Sequence, residues 1–325
     1  MYSPLFINYN ATLIRDEKLY GKKSILTDHL LKKYNTFAQD WYKLEFEWFK
    51  SVCQSAVYDF DTYLIIIHLL HEELNQLNEE NIRLTFNQVF KRNLLKFKPI
   101  SIKKISRTLL IPEETVRRKI KTLEKNKFIY FTKDGVELLD KGVNIIKPER
   151  TLRNVAKLLQ NIAKIYYKNK KKITPNDQAG FVFLIQQNFS LAWKFWYDFQ
   201  IAYVTRFGKI NIDGETAAIF YSIYYNQILG MKYQIHPNIE FKNYIEFIRL
   251  NSKVGINALS ISEILDLPRS NVLRKLNQLE KENLIFRDKK KLYYIDKPKK
   301  NHLRAFKNNL YYLEIFLENI CNKVC

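Results

Sequence analysis

The stretch IPEETVRRKIKTLEKNKFI, Ile111 to Ile129, returns as LPRSNVLRKLNQLEKENLI, Leu267 to Ile285, 156 positions later and without a gap. At that offset Ser101–Tyr130 and Asn257–Phe286 share eleven of thirty residues. Five of the shared residues are apolar. The other six are Ser106/Ser262, Pro112/Pro268, Arg118/Arg274, Lys119/Lys275, Glu124/Glu280 and Lys125/Lys281. A repeat this long means that one supersecondary unit forms twice, which rules out most single-domain architectures for a chain of 325 residues.

The likeness extends outward from this core. FAQDWYKLEFEWF (Phe37 to Phe49) matches LAWKFWYDFQIAY (Leu191 to Tyr203) in aromatic density and helical spacing. Each is followed by an acidic helix start, DFDTYLIIIHLL from Asp59 and DGETAAIFYSIYY from Asp213. Downstream, RTLRNVAKLLQNIAKIYY (Arg150 to Tyr167) and HLRAFKNNLYYLEIFLENI (His302 to Ile320) read as closing helices. This predicts an N-terminal arm over 1–33 and a first repeat over 34–172, with its core near 84–140 and closing helix at 150–170. The second repeat covers 180–325, with its core near 240–297 and closing helix at 302–323. The boundary falls in YKNKKKITPNDQAG (Tyr167 to Gly180), a basic run ending in Pro and Gly.

Within the first core, Ile102, Ile105 and Leu109 share one helical face after Ser101, a residue type that caps helix N-termini. Pro112 suits the opening of a second helix, because its missing N–H has no partner there anyway. Glu113 and Glu114 then sit in the first turn, where the helix dipole favours anions. Val116, Ile120 and Leu123 form the inward stripe of that helix. Glu114, Arg118, Lys121 and Lys125 form the outward one, with Arg117 at its edge. FIYF, TKDG and VELL then read as strand, turn and strand, as do LIFR, DKKK and LYYI in the second copy. Both hairpin tips are basic, with Lys133 in the first and Arg287, Lys289, Lys290 and Lys291 in the second.

Short helix, turn, helix with a basic outer face, then hairpin: this order resembles the winged helix-turn-helix domains of bacterial and archaeal transcription regulators. The recognition helices resemble those of the MarR-type and cyclic-AMP-receptor-type families. The match covers about 40 residues in each copy. Leu110 and Asp266 stand where such turns often carry Gly, the hairpins lack an Asp-Arg-Arg signature, and two helices rather than one precede each core. The resemblance implies that the third and seventh residues counted from Pro112 face the DNA groove. These are Glu114 and Arg118, matched by Ser270 and Arg274, with Arg269 and Asn271 alongside. Arg118 and Arg274 are candidate base readers, since a guanidinium grips guanine in bidentate fashion. Phosphate contact is the alternative role. Glu113 and Glu114 either accept from cytosine or serve the helix N-terminus. Arg117, Lys121, Lys289 and Lys290 read as phosphate contacts.

The charge distribution agrees. The chain carries 54 Lys and Arg against 33 Asp and Glu, a net charge of +21. Asp40–Glu80 holds two basic and nine acidic residues, whereas Lys98–Lys127 holds ten basic and three acidic. Basicity is therefore concentrated in the repeated core, as a polyanion site requires.

Other chemistries find little support. There is no phosphate-binding loop, no Cys-x-x-Cys pair and no Ser/His/Asp set, so no enzymatic activity and no cofactor are expected. Three cysteines (Cys53, Cys321, Cys325) point to a reducing compartment. His68, His71 and Glu72 share a helix face and could begin a metal site. The expected reading is a solvated or partly packed face, with no metal ligands. The longest apolar run, YLIIIHLL, is too short to span a bilayer, and MYSPLFINYN lacks a signal-peptide pattern, so a cytoplasmic, nucleoid-associated location is expected.

The overall expectation is a mainly α protein with small β-hairpin wings. Its two tandem winged helix-turn-helix units would form a single-chain pseudo-dimer, monomeric as a molecule. It would bind double-stranded DNA as a transcription regulator reading two unlike half-sites. The aromatic helices would pack the repeats together, or else enclose a small apolar effector. The alternatives are a plasmid-type replication initiator and a winged-helix protein-interaction or signalling subunit.

Overall fold

The computed structural model describes residues 25–55, 59–91, 97–166, 175, 177–209, 212–231, 239–297 and 300–324. Over these the chain is mainly α-helical, with 73% helix in 15 helices and two small antiparallel hairpins. The first half contains α1 (Ile25–Lys32), α2 (Asn35–Cys53), α3 (Phe60–Glu79), α4 (Phe86–Lys91), α5 (Ile102–Leu109) and α6 (Glu113–Lys125). These are followed by β1 (Ile129–Thr132), β2 (Gly135–Leu138), α7 (Asp140–Ile145) and α8 (Glu149–Tyr166). The second half contains α9 (Gln178–Gln187), α10 (Phe189–Lys209), α11 (Gly214–Gly230), α12 (Phe241–Asn251), α13 (Ala258–Leu265) and α14 (Arg269–Lys281). Then come β3 (Ile285–Arg287), β4 (Tyr293–Ile295) and α15 (Lys300–Lys323).

The repeated core forms twice through matching local devices. Ser101 Oγ accepts from the Lys104 N–H at 3.3 Å, and Asn257 Oδ1 from the Ser260 N–H at 2.8 Å, each satisfying an otherwise orphan helical donor. At the turn, Leu110 and Asp266 both adopt the left-handed conformation, with φ of 57° and 54°. The following backbone is held by Ser106, whose hydroxyl donates to the Ile111 carbonyl at 2.7 Å, and by Ser262, which does the same to Leu267 at 2.6 Å. The expected stripe of Val116, Ile120 and Leu123 is buried, as is its second-copy match of Val272, Leu276 and Leu279. Each hairpin gains a short third partner, Ile100 pairing with Val136 and Ile256 with Tyr293. Gly135, with φ 144°, sits against that partner. A Cβ there would lie 2.7 Å from the Ile100 carbonyl oxygen, so only glycine fits.

The two halves exchange their long helices. α2 packs chiefly on α11, and α3 on α10, rather than each on its own neighbour in sequence. The α2–α11 seam is aromatic: Tyr42 stacks on Tyr224 at 4.0 Å and Phe49 on Tyr221 at 5.3 Å. The closing helices cover the outside, α8 on α2 and α15 on α10. Smaller helices repeat the exchange. α9 lies against α8 and α4 of the first half, while α1 lies against α15 and α12 of the second. Two T-shaped pairs show the reciprocity: Tyr34 meets Phe241 and Phe189 meets Phe86, both with ring centroids 5.0 Å apart.

Some expectations change. The segment 1–33 was expected to be an arm, but residues 25–32 form a packed helix that corresponds to α9, while 1–24 lie outside the described residues. The helix α7 after the first hairpin was not anticipated. Most of the boundary stretch 167–180 also lies outside the described residues, as do the end of the predicted closing helix at 167–170 and Cys325.

Candidate nucleic-acid interface

The six shared polar residues divide sharply by what they touch. Pro112 and Pro268 stand at the N-caps of α6 and α14, and Ser106 and Ser262 lock the turns. Lys119 and Lys275 turn inward. Lys119 Nζ pairs with Asp59, the residue that caps α3, and Lys275 Nζ lies 2.6 Å from Asp213, which caps α11. Each lysine thus ties the second helix of its core to a long helix of the same half. Burial raises the Asp59 and Asp213 carboxyl pKa values. The lysine and the Thr62 or Thr216 donors outweigh this and bring both below the ordinary carboxylate value. Glu124 and Glu280 reach the hairpins, Glu124 Oε1 accepting from the Phe131 N–H at 3.2 Å and Glu280 lying 3.9 Å from Arg287. That leaves Arg118/Arg274 and Lys125/Lys281, all exposed, as the shared polar residues without a role in holding the core.

The outward face of α6 presents Glu114, Arg117, Arg118 and Lys121, all exposed. Arg117 is engaged by Glu113 one turn earlier, at 2.7 Å. Arg118 makes no ion pair among the described residues. On α14, Arg269, Ser270 and Arg274 are exposed, as are Asn277 and Lys281 nearer its C-terminus. Asn271 is only half-exposed: its amide donates to Glu215 at 2.7 Å and its carbonyl oxygen accepts from Arg274 at 2.7 Å. It therefore aims the Arg274 guanidinium, and its own amide N–H is turned toward the body. Leu273 is exposed where the first copy has Arg117.

The hairpin tips differ in build. In the first, Lys133 and Asp134 form a two-residue turn, with Thr132 Oγ accepting from the N–H groups of Asp134 and Gly135, each at 3.1 Å. In the second, Asp288 Oδ1 accepts from the N–H groups of Lys290 at 2.9 Å and Leu292 at 2.8 Å. Lys289, Lys290 and Lys291 are thereby held out into solvent, Lys291 with φ 62°. Arg287 is exposed beside the Tyr293 ring, 5.9 Å from its centroid. The hairpins also carry aromatics that the sequence pattern left unmarked, exposed Tyr130 and Phe131 in one copy and exposed Phe286 stacked on half-buried Tyr294 in the other. Alternation with the inward Ile129, Ile285 and Ile295 was the available signal for Tyr130, Phe286 and Tyr294, whereas Phe131 breaks the alternation.

Between the halves, a cavity bordered by Tyr34, Trp41, Tyr42, Tyr224 and Phe306 measures about 10 Å³, room for a single water. The His68, His71 and Glu72 face is buried at the α3–α10 seam rather than solvated. His71 Nε2 lies 2.7 Å from Asp198 Oδ1, and Glu72 accepts from Lys104 of α5. Burial holds the His68 pKa well below its ordinary value, so the ring is neutral at physiological pH. Among the described residues no helix is long and apolar enough to cross a membrane. No protein-family model matches the chain, and no curated protein matches it.

Proposed function

We propose that this chain is a sequence-specific duplex-DNA-binding protein, a transcription regulator. In this reading its two helix-turn-helix-hairpin units are winged helices held as a single-chain pseudo-dimer. α6 and α14 are the recognition helices, the hairpins are wings, and the exchanged long helices are the dimer-like body. One observation carries the reading. When every shared polar residue is traced to its partner, Arg118/Arg274 and Lys125/Lys281 remain exposed at matching positions of both helices, the arginines nearer the helix N-termini. A duplication that keeps an arginine the core does not need keeps it for something outside the core, and arginine on this face suits guanine and phosphate.

The caps, turns and buried stripe repeat in both cores while the reading faces differ. Glu113-Glu114 stands against Arg269-Ser270, and Arg117 against Leu273. The preferred duplex should therefore contain two unlike half-sites. Selection from random-sequence duplexes tests this. An asymmetric site is expected, and a perfect palindrome as best binder would overturn it. Arg274→Ala should cost about 1–3 kcal/mol and relax preference in one half-site only. Equal weakening on all sequences would make Arg274 a phosphate contact instead.

A further inference from the structure

We propose that His68, His71 and Glu72 form a binding site for one divalent transition-metal ion of the zinc class, at the seam between α3 and α10. The three residues are spaced i, i+3 and i+4 and so share one face of α3. One donor atom from each lies within 4.8 Å of the others. Donors around tetrahedral zinc sit about 3.3 Å apart, a contraction that side-chain rotation supplies.

The independent pointer to a ligand is His68. It is fully buried, at 0% exposure, and neither of its ring nitrogens has a hydrogen-bond partner. An imidazole in that condition forfeits its hydration without replacement, so its lone pair is a donor in want of an acceptor. His71 is arranged as metal-bound histidines are. Donation from Nε2 to Asp198 leaves Nδ1 as the lone-pair nitrogen, with only the Asn75 amide near it at 3.5 Å for the ion to displace, and Lys194 holds Asp198 in turn at 2.7 Å. Two imidazoles and one carboxylate select borderline ions over calcium or magnesium, which take oxygen ligands. The matching positions of α11 are Ser222, Tyr225 and Asn226, so the duplication does not supply a second such set.

Glu72 is shared property. Its Oε2 accepts from Lys104 of α5, while Oε1, 3.9 Å from His68 Nε2, is the oxygen that faces the imidazole, so the ion would share the carboxylate with Lys104. The site stands on its own geometry and does not depend on the DNA reading.

The test is titration of the metal-free full-length chain with Zn²⁺ alone against a chromophoric chelator, with Co²⁺ as a spectroscopic probe. One equivalent should bind with micromolar or tighter affinity, and Co²⁺ should show visible ligand-field bands. His68→Leu removes the unpartnered ring and should fold at least as well as the parent, yet weaken binding by about 100-fold. Glu72→Gln keeps the shape and should also weaken it. Lys104→Met should tighten it by about 10-fold, by removing an ammonium charge beside the ion. Absence of binding below millimolar zinc overturns the proposal. So does undiminished affinity in both His68→Leu and Glu72→Gln, which would place the ion elsewhere on the chain.

Discussion

The second helices of the two cores, α6 and α14, are built on one plan and anchored to different depths. Lys119 meets a single carboxylate, Asp59, and keeps 16% of its side chain exposed. Lys275 keeps 3%, and meets Asp213 at 2.6 Å, Glu215 at 3.4 Å and the Thr216 hydroxyl at 3.3 Å. Glu215 also holds Asn271, which holds Arg274. In the second copy the anchor and the outward arginine therefore belong to one polar network. In the first copy Arg118 stands apart from Lys119, and the surface pair is Glu113–Arg117. The difference teaches that one core can present its arginine pre-aimed while the other presents it free. A pre-aimed side chain loses less rotamer entropy on binding.

The comparison breaks most visibly at the anchors. Lys275→Ala should destabilise the chain by about 2 kcal/mol, because it empties a buried site and removes three polar contacts while Asp213, 58% exposed, is rehydrated, whereas Lys119→Ala should cost about 1 kcal/mol. Urea unfolding of the two variants side by side checks this, and equal losses would erase the distinction.

The next effect lies in the body. Trp41-Tyr42 and Trp196-Tyr197 correspond across the duplication, which places Gln200 opposite Glu45, both buried. Burial holds the Glu45 carboxyl pKa well above its usual range, even with a hydrogen bond from Tyr203. A raised folded-state value means that stability is greatest below the unfolded pKa of about 4.3 and falls as pH climbs above it. Glu45→Gln copies the second repeat and removes that penalty. It should stabilise the chain by about 1–2 kcal/mol at neutral pH, with the advantage vanishing below about pH 4. Denaturant midpoints across pH test it, and a gain that persists in acid would assign the effect to packing.

The smallest effect is at the turns. Leu110 is 56% exposed and carries a left-handed backbone that costs a leucine about 1 kcal/mol. Leu110→Gly should gain about 0.5–1 kcal/mol, and Asp266→Gly only a few tenths, since aspartate tolerates that conformation. A larger gain at Asp266 than at Leu110 would contradict the strain assignment.

Much of the core was legible because its signals are local. Caps at Ser101 and Asn257, prolines at the helix openings and a 3.6-residue stripe each act within a few residues. Their repetition at a fixed offset reinforced them. The exchange of α2 and α3 between halves was not legible, because an aromatic stripe says that a helix is covered but not by which partner. Lys119 and Lys275 were visible as shared residues. Reading them as anchors needed the acidic starts at Asp59 and Asp213 to be brought within reach, a tertiary fact. The tie from Asn271 to Glu215 was hidden for the same reason, since the two lie 56 positions apart. His68 and His71 were placed on one face correctly, but the depth of that face depends on α10.

The exchanged helices also bear on kinetics and ancestry. Neither half covers its own aromatic seam, so a chain cut between Tyr166 and Asp177 should yield two fragments that fold only in each other's company. Joined, they meet at an effective concentration of the order of millimolar, and assembly becomes first order. A protein made this way has no dilution limit below which its halves part. With its halves bound together, selection is free to let them diverge.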